Sequence, residues 1–144
     1  MCSRLIVSAL ICLWIFPSPS FGAKGKPVLR FTPAFDGYRF EKPMAMLPGP
    51  GKAGGYFVVE QDGRIWKLED LGARERTLVV DLTGDVRRRH GEEGLLSAVL
   101  DPRFRDNGRI YVYYSASAPR RTVLARVDLG SALPVKRPTQ VLMT

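Results

Sequence analysis

Tyr56-Phe-Val-Val-Glu-Gln-Asp-Gly-Arg-Ile-Trp-Lys-Leu-Glu69 decides how the rest of the chain is read. Two short runs rich in aromatic and β-branched residues flank Asp62-Gly63, a dipeptide that supplies the positive φ angles of a two-residue hairpin turn. The stretch therefore predicts two antiparallel strands, Tyr56–Gln61 and Arg64–Glu69. Working outward, similar runs predict strands over Pro43–Leu47, Thr77–Leu82, Leu95–Leu100, Arg109–Ser115, Thr122–Leu129 and Thr139–Met143. No window keeps an i, i+3, i+4, i+7 apolar stripe through three helical turns. Asn107-Gly108 reads as the same turn chemistry ahead of Arg109. Runs that fail to alternate polar with apolar imply strands covered on both faces, as in stacked sheets.

The eight strands fall into two sets of four, each about 40 to 50 residues long, the length of one propeller blade. The expected class is all-β, the first two four-stranded blades of a β-propeller. Gly63-Arg-Ile-Trp66 recurs as Gly108-Arg-Ile-Tyr111, which we read as shared hairpin chemistry and not as a duplication. Two blades cannot close a ring, so apolar edges and faces stay bare and self-association through them is expected.

Residues 1–22 are set aside from this folding unit. A basic head containing Arg4 precedes the twelve-residue apolar run Leu5–Phe16, which is too short for a bilayer and is broken by Pro17 and Pro19. Small residues at Ser20 and Gly22 suit cleavage after Gly22, leaving 23–144 as the mature domain, periplasmic or secreted. Retention by the leader is the second reading; a lipid anchor at Cys12 is disfavoured by the preceding Ile11. Both cysteines, Cys2 and Cys12, lie in the leader, so the mature part holds together without disulfides. It keeps 21 cations, 15 of them arginine, against 14 acids. The only tight basic run, Arg87-Arg88-Arg89, is short and lacks interleaved aromatics, so it reads as a solvated loop and not as a nucleic-acid surface. An acidic polysaccharide, a membrane headgroup surface or an anionic cofactor suits an exported basic domain better than DNA.

Gly49-Pro-Gly51-Lys-Ala-Gly54 has dinucleotide-loop spacing, but it precedes a strand and Pro50 removes an amide, so it reads as a turn. His90 is the only histidine, which excludes paired-histidine zinc sites. It reads as loop surface, or as a ligand contact oriented by Glu92 or Glu93. Adjacent carboxylates on an extended segment point to opposite sides, so one of Glu92 and Glu93 should face a pocket and the other solvent. Neither a nucleophile elbow nor a calcium loop is present.

Phe57-Val-Val-Glu-Gln-Asp-Gly-Arg-Ile-Trp66, Gly91-Glu-Glu-Gly-Leu-Leu96, Asp101-Pro-Arg-Phe104 and Asn107-Gly-Arg-Ile-Tyr-Val-Tyr113 follow one another in a specific order. Together they resemble the opening of the glucose/sorbosone dehydrogenase family. That family comprises soluble aldose dehydrogenases dependent on pyrroloquinoline quinone (PQQ) and the related domain of hedgehog-interacting proteins. The resemblance implies a six-bladed propeller with PQQ and calcium in the complete domain, a sugar substrate, and hydride transfer from the anomeric carbon to the quinone. It also implies that Gly91, Glu92 and Gly94 form a loop of the cofactor pocket, with Glu92 touching quinone or sugar. The rival reading has the glycines shaping the crossing between blades while Glu92 caps backbone amides. Ser97 stands where the family usually has glycine. The family's catalytic histidine opens a third blade, and its calcium ligands lie later still, so His90 inherits neither role and no catalytic or metal-binding residue is assigned. The rival functions are a non-catalytic exported module binding a glycan or protein, and an inactive truncated product.

Overall fold

A computed structural model describes residues 29–35, 37–50 and 55–144; the expected leader and Gly51–Gly54 of the glycine-rich turn lie outside them. Of the N-terminal unit Met1–Phe31, only the exposed Leu29–Phe31 are described. Among its described residues, the folded unit Thr32–Thr144 is all-β apart from one helical turn. Its strands are β1 (Pro43–Pro48), β2 (Tyr56–Glu60), β3 (Arg64–Leu68), β4 (Thr77–Asp81), β5 (Leu95–Leu100), β6 (Arg109–Ala116), β7 (Arg121–Asp128) and β8 (Gln140–Met143). They form two antiparallel four-stranded sheets of order β1-β2-β3-β4 and β5-β6-β7-β8. Each sheet pairs strands in chain order, the arrangement expected of propeller blades. β5 packs against β1 and β2, so β1 and β5 are the adjoining first strands of the two blades.

The core lies between the sheets. Phe57, Val59, Ile65, Val80 and Leu82 from the first meet Leu95, Ile110, Val112, Val123 and Val127 from the second. β2 is buried on both faces after Tyr56 because Val58 joins a second cluster with Phe35 and Leu68 on the far side. β7 instead alternates buried and half-buried positions, and β8 is wholly exposed. Double coverage therefore holds for the middle of the first blade and not for the outer strands of the second. Ser97 is exposed beside a register shift in β5, so its side chain meets no packing constraint.

Both turn assignments need correction. The β2–β3 connection has three residues, Gln61, Asp62 and Gly63, and only Gly63 has positive φ, at 113°. Its N–H reaches the Glu60 carbonyl at 3.1 Å, closing the wider loop in which a glycine follows a turn. Asn107-Gly108 makes no hairpin. Phe104–Asn107 form a helical turn, designated α1, and Gly108 ends it in the left-handed region, its N–H on the Phe104 carbonyl at 2.8 Å. Eight residues separate β5 from β6, too many for a two-residue turn, and buried Asp101 organises them. Its carboxylate accepts from the Arg103 N–H, the Asn107 amide and the Tyr111 hydroxyl at 2.8, 3.0 and 2.8 Å. The Asn107 bond, followed by those from Arg103 and Tyr111, lowers the Asp101 pKa to about 2.

Candidate functional site

The β4–β5 crossover, residues 82–94, runs over the end of the blades that also carries the β2–β3 and β6–β7 turns. Backbone bonds strap it down at both ends. Leu82 N–H donates to the Gly63 carbonyl at 2.9 Å, and Arg87 N–H to the Ser115 carbonyl at 2.7 Å. Val86 bridges to Ala116, while Ser115 N–H returns to the Gly94 carbonyl at 2.9 Å.

Gln61 ties the first blade to this crossover. Its buried side-chain amide donates to the carbonyls of Gly91 at 2.7 Å and Glu93 at 3.0 Å, and its own carbonyl accepts from Leu95 N–H at 2.8 Å. Gly94 makes this approach possible. Its φ is +142°, and a Cβ there would lie 2.5 Å from both the Gln61 carbonyl oxygen and Cγ. Gly91 has open space around it and contributes only its carbonyl.

The two acids of the loop have separate fates. Residues 90–93 turn back on themselves, with Glu93 N–H on the His90 carbonyl at 3.1 Å, so strand alternation does not apply. Glu93, not Glu92, is the amide-capping carboxylate. Its Oε2 accepts from the N–H groups of Arg89 and His90 at 2.9 and 3.3 Å. Its Oε1 pairs with Arg87 Nε at 2.8 Å and Arg120 Nε at 3.1 Å. The Arg87 hydrogen bond foremost, with help from Arg89 N–H and both guanidinium charges, outweighs burial and lowers the Glu93 pKa to about 2. His90 meets Glu93 through its backbone, so the carboxylate does not orient the imidazole.

Glu92 is exposed and lines a cleft of about 350 Å³ together with Glu93, His90, Leu96, Ser115, Arg120, Arg121 and Thr122. Both acids border this cleft, so the expected split of one to a pocket and one to solvent does not hold: Glu92 is exposed there, and Glu93 is buried and held by Arg87 and Arg120. Gly91 and Gly94 do not line the cleft; Gly94 lies in the interface between the blades, against Gln61. Gln61, Arg87 and Arg120 were not picked out from the sequence. Among the described residues no three His, Cys, Asp or Glu side chains gather as metal ligands, and no helix is long and apolar enough to cross a membrane.

Residues 40–142 match the sequence model of the family described as Glucose / Sorbosone dehydrogenase. The chain belongs to this family. Solved structures agree in fold. One is the PQQ-bound form of aldose sugar dehydrogenase from Streptomyces coelicolor, 24% identical, with a TM-score of 0.54 over 80% of this chain and 31% of that one. Another is a glucose dehydrogenase, 18% identical, with a TM-score of 0.57 over 72% of this chain and 30% of the other. This glucose/sorbosone dehydrogenase-family chain thus spans about a third of the length of the structures it matches. The paired four-stranded sheets are the part it shares with them.

Proposed function

We propose that this chain forms part of the pocket wall of a PQQ-dependent aldose dehydrogenase domain, with the Gly91–Gly94 loop facing the ligand. The observation that carries the reading is Glu92, exposed at a cleft rim and held there through Gln61 and Gly94. A carboxylate in that position can accept hydrogen bonds from sugar hydroxyls or from an N–H group of the quinone. When bound, PQQ supplies the hydride acceptor. The chain's own residues contribute orientation, because Glu92 has a fixed backbone and a free side chain. Among the described residues the donor set does not fit calcium: Glu93 and Asp101 are engaged at opposite ends, and no three acidic, histidine or cysteine side chains gather as ligands. A calcium ion in the complete domain would be held by other residues, and the reaction's base is not assigned to His90.

The reading is tested by titrating PQQ into isotope-labelled protein and following backbone amides. The amides of Gly91, Glu92 and Gly94 should shift, with a Kd no tighter than about 0.1 mM. Those of Arg105 and Gly108 at the far end should not. The chain alone should give no dye-linked glucose oxidation. Shifts confined to the far end, or turnover by this chain alone, would overturn the assignment. Export with removal of residues 1–22 belongs to the same proposal, and N-terminal sequencing of the exported protein should begin at Ala23.

A further inference from the structure

Asn107-Gly108 lies away from the crossover and carries chemistry of its own. In an asparagine followed by glycine the side-chain amide is easily lost, because glycine has no side chain to shield its backbone nitrogen from the asparagine carbonyl carbon. The β5–β6 connection nevertheless needs both residues. Gly108 has a φ of +61°, and a Cβ there would lie 3.0 Å from the Leu129 carbonyl oxygen, so any other residue is strained and crowded. Asn107 accepts from Arg109 N–H through Oδ1 and donates to Asp101 Oδ1 through Nδ2, each at 3.0 Å.

The same contacts hold the pair unreactive. Amide loss begins when Gly108 N gives up its proton and bonds to Asn107 Cγ; the Cγ–Nδ2 bond breaks, and ammonia leaves with that proton. Water then opens the cyclic imide at either carbonyl and yields aspartate or isoaspartate, with no oxidant or reductant taking part. In the folded chain Gly108 N–H is bonded to the Phe104 carbonyl at 2.8 Å, which keeps its proton in place. The oxygen and the nitrogen of the Asn107 amide are both engaged, so Cγ is not free to swing toward the Gly108 nitrogen. Asp101 anchors this arrangement, since it is itself fixed by Arg103 N–H and the Tyr111 hydroxyl at 2.8 Å each. Asn107 and Gly108 are only half-buried, so water reaches them once the connection opens.

We propose that Asn107 is a deamidation site that the folded β5–β6 connection keeps closed, converting to aspartate or isoaspartate only through local opening of the Asp101 cluster. Conversion reinforces itself. A carboxylate at position 107 faces the Asp101 carboxylate across the 3.0 Å now spanned by a hydrogen bond, and like charges this close oppose one another. Isoaspartate also adds a main-chain carbon to a helical turn that has no room for it in its hydrogen-bond spacing. The site is independent of the dehydrogenase reading, so the two fail separately.

Incubating the 144-residue chain at mildly alkaline pH, with and without guanidinium chloride, tests the site; peptide mass spectrometry and isoaspartate methyltransfer count the converted Asn107. Conversion should be at least about tenfold slower in the folded protein than in the denatured one. Tyr111→Phe, which removes one donor from Asp101, should speed the folded-state reaction about threefold, and Asp101→Ala should speed it about tenfold. Exposed Tyr113→Phe should leave it unchanged. All variants should convert at one rate in denaturant, which shows that they act through the fold; if Asp101→Ala does not fold, Tyr111→Phe carries the test. Asn107→Asp should unfold at lower denaturant than wild type. Equal rates in folded and denatured protein, folded-state rates indifferent to both Asp101→Ala and Tyr111→Phe, or an Asn107→Asp protein as stable as wild type would overturn the proposal.

Discussion

Replacing the two glycines of the Gly91-Glu-Glu-Gly94 loop one at a time separates their roles. In Gly94→Ala the new methyl group enters a site where φ is +142° and Cβ would lie 2.5 Å from the Gln61 carbonyl oxygen. The backbone strain alone is of order 1 to 3 kcal/mol. Relieving the contact requires Gln61 to move, which endangers its bonds to Gly91, Glu93 and Leu95, each worth about 0.5 to 1.5 kcal/mol net. A loss of about 3 to 4 kcal/mol is expected, allowing for partial relaxation. Gly91→Ala meets open space and should change stability by no more than about 0.5 kcal/mol. Urea unfolding followed by circular dichroism, with a common slope for both variants, reads the difference. Adding Gln61→Ala to Gly94→Ala should recover only part of the loss, since it removes the Cγ contact and leaves the carbonyl contact. A Gly94→Ala protein within about 1 kcal/mol of wild type, or equal losses at the two glycines, would refute the close approach of Gln61 to the crossover.

Three further outcomes follow from the geometry. The Glu93 pKa is lowered from about 4.5 to about 2 in the folded protein, so its contribution is complete above the unfolded value and disappears as pH falls toward 2; Glu93→Gln should flatten the stability profile between pH 5 and 2, and an unchanged slope would contradict the ion-pair geometry. Ile110→Ala should cost about 2 to 5 kcal/mol in denaturant unfolding because Ile110 is fully buried between the sheets, whereas Val141→Ala on exposed β8 should be nearly neutral. Exposed Tyr113 and Met143 stand on neighbouring rows beside Leu124, so we propose self-association through this face; Tyr113→Arg should shift light-scattering mass toward monomer without altering the unfolding midpoint.

Strands were legible because each is a short apolar run bounded by residues that turn the chain. All eight were expected with ends within a residue or two of those observed, and their grouping into two sheets followed from spacing alone. Turn geometry was less accessible, since Asp62-Gly63 and Asn107-Gly108 look alike locally. The second ends a helical turn because buried Asp101 gathers Arg103, Asn107 and Tyr111 around itself, a choice made by a residue six positions away.

The site shows the same limit more sharply. Gln61 reads only as the last residue of a strand; what buries it is a crossover thirty residues later that needs its amide to hold two carbonyls. Arg87 belongs to a run of three, of which Arg88 and Arg89 are indeed exposed. The Val86–Ala116 bridge lies next to Arg87, which turns inward and makes Glu93 the structural acid. Glu92 and Glu93 have the same chemistry and adjacent positions, so neither composition nor strand period can tell which one is free. Arg87 and the amides of Arg89 and His90 make that selection, engaging Glu93 and leaving Glu92 exposed.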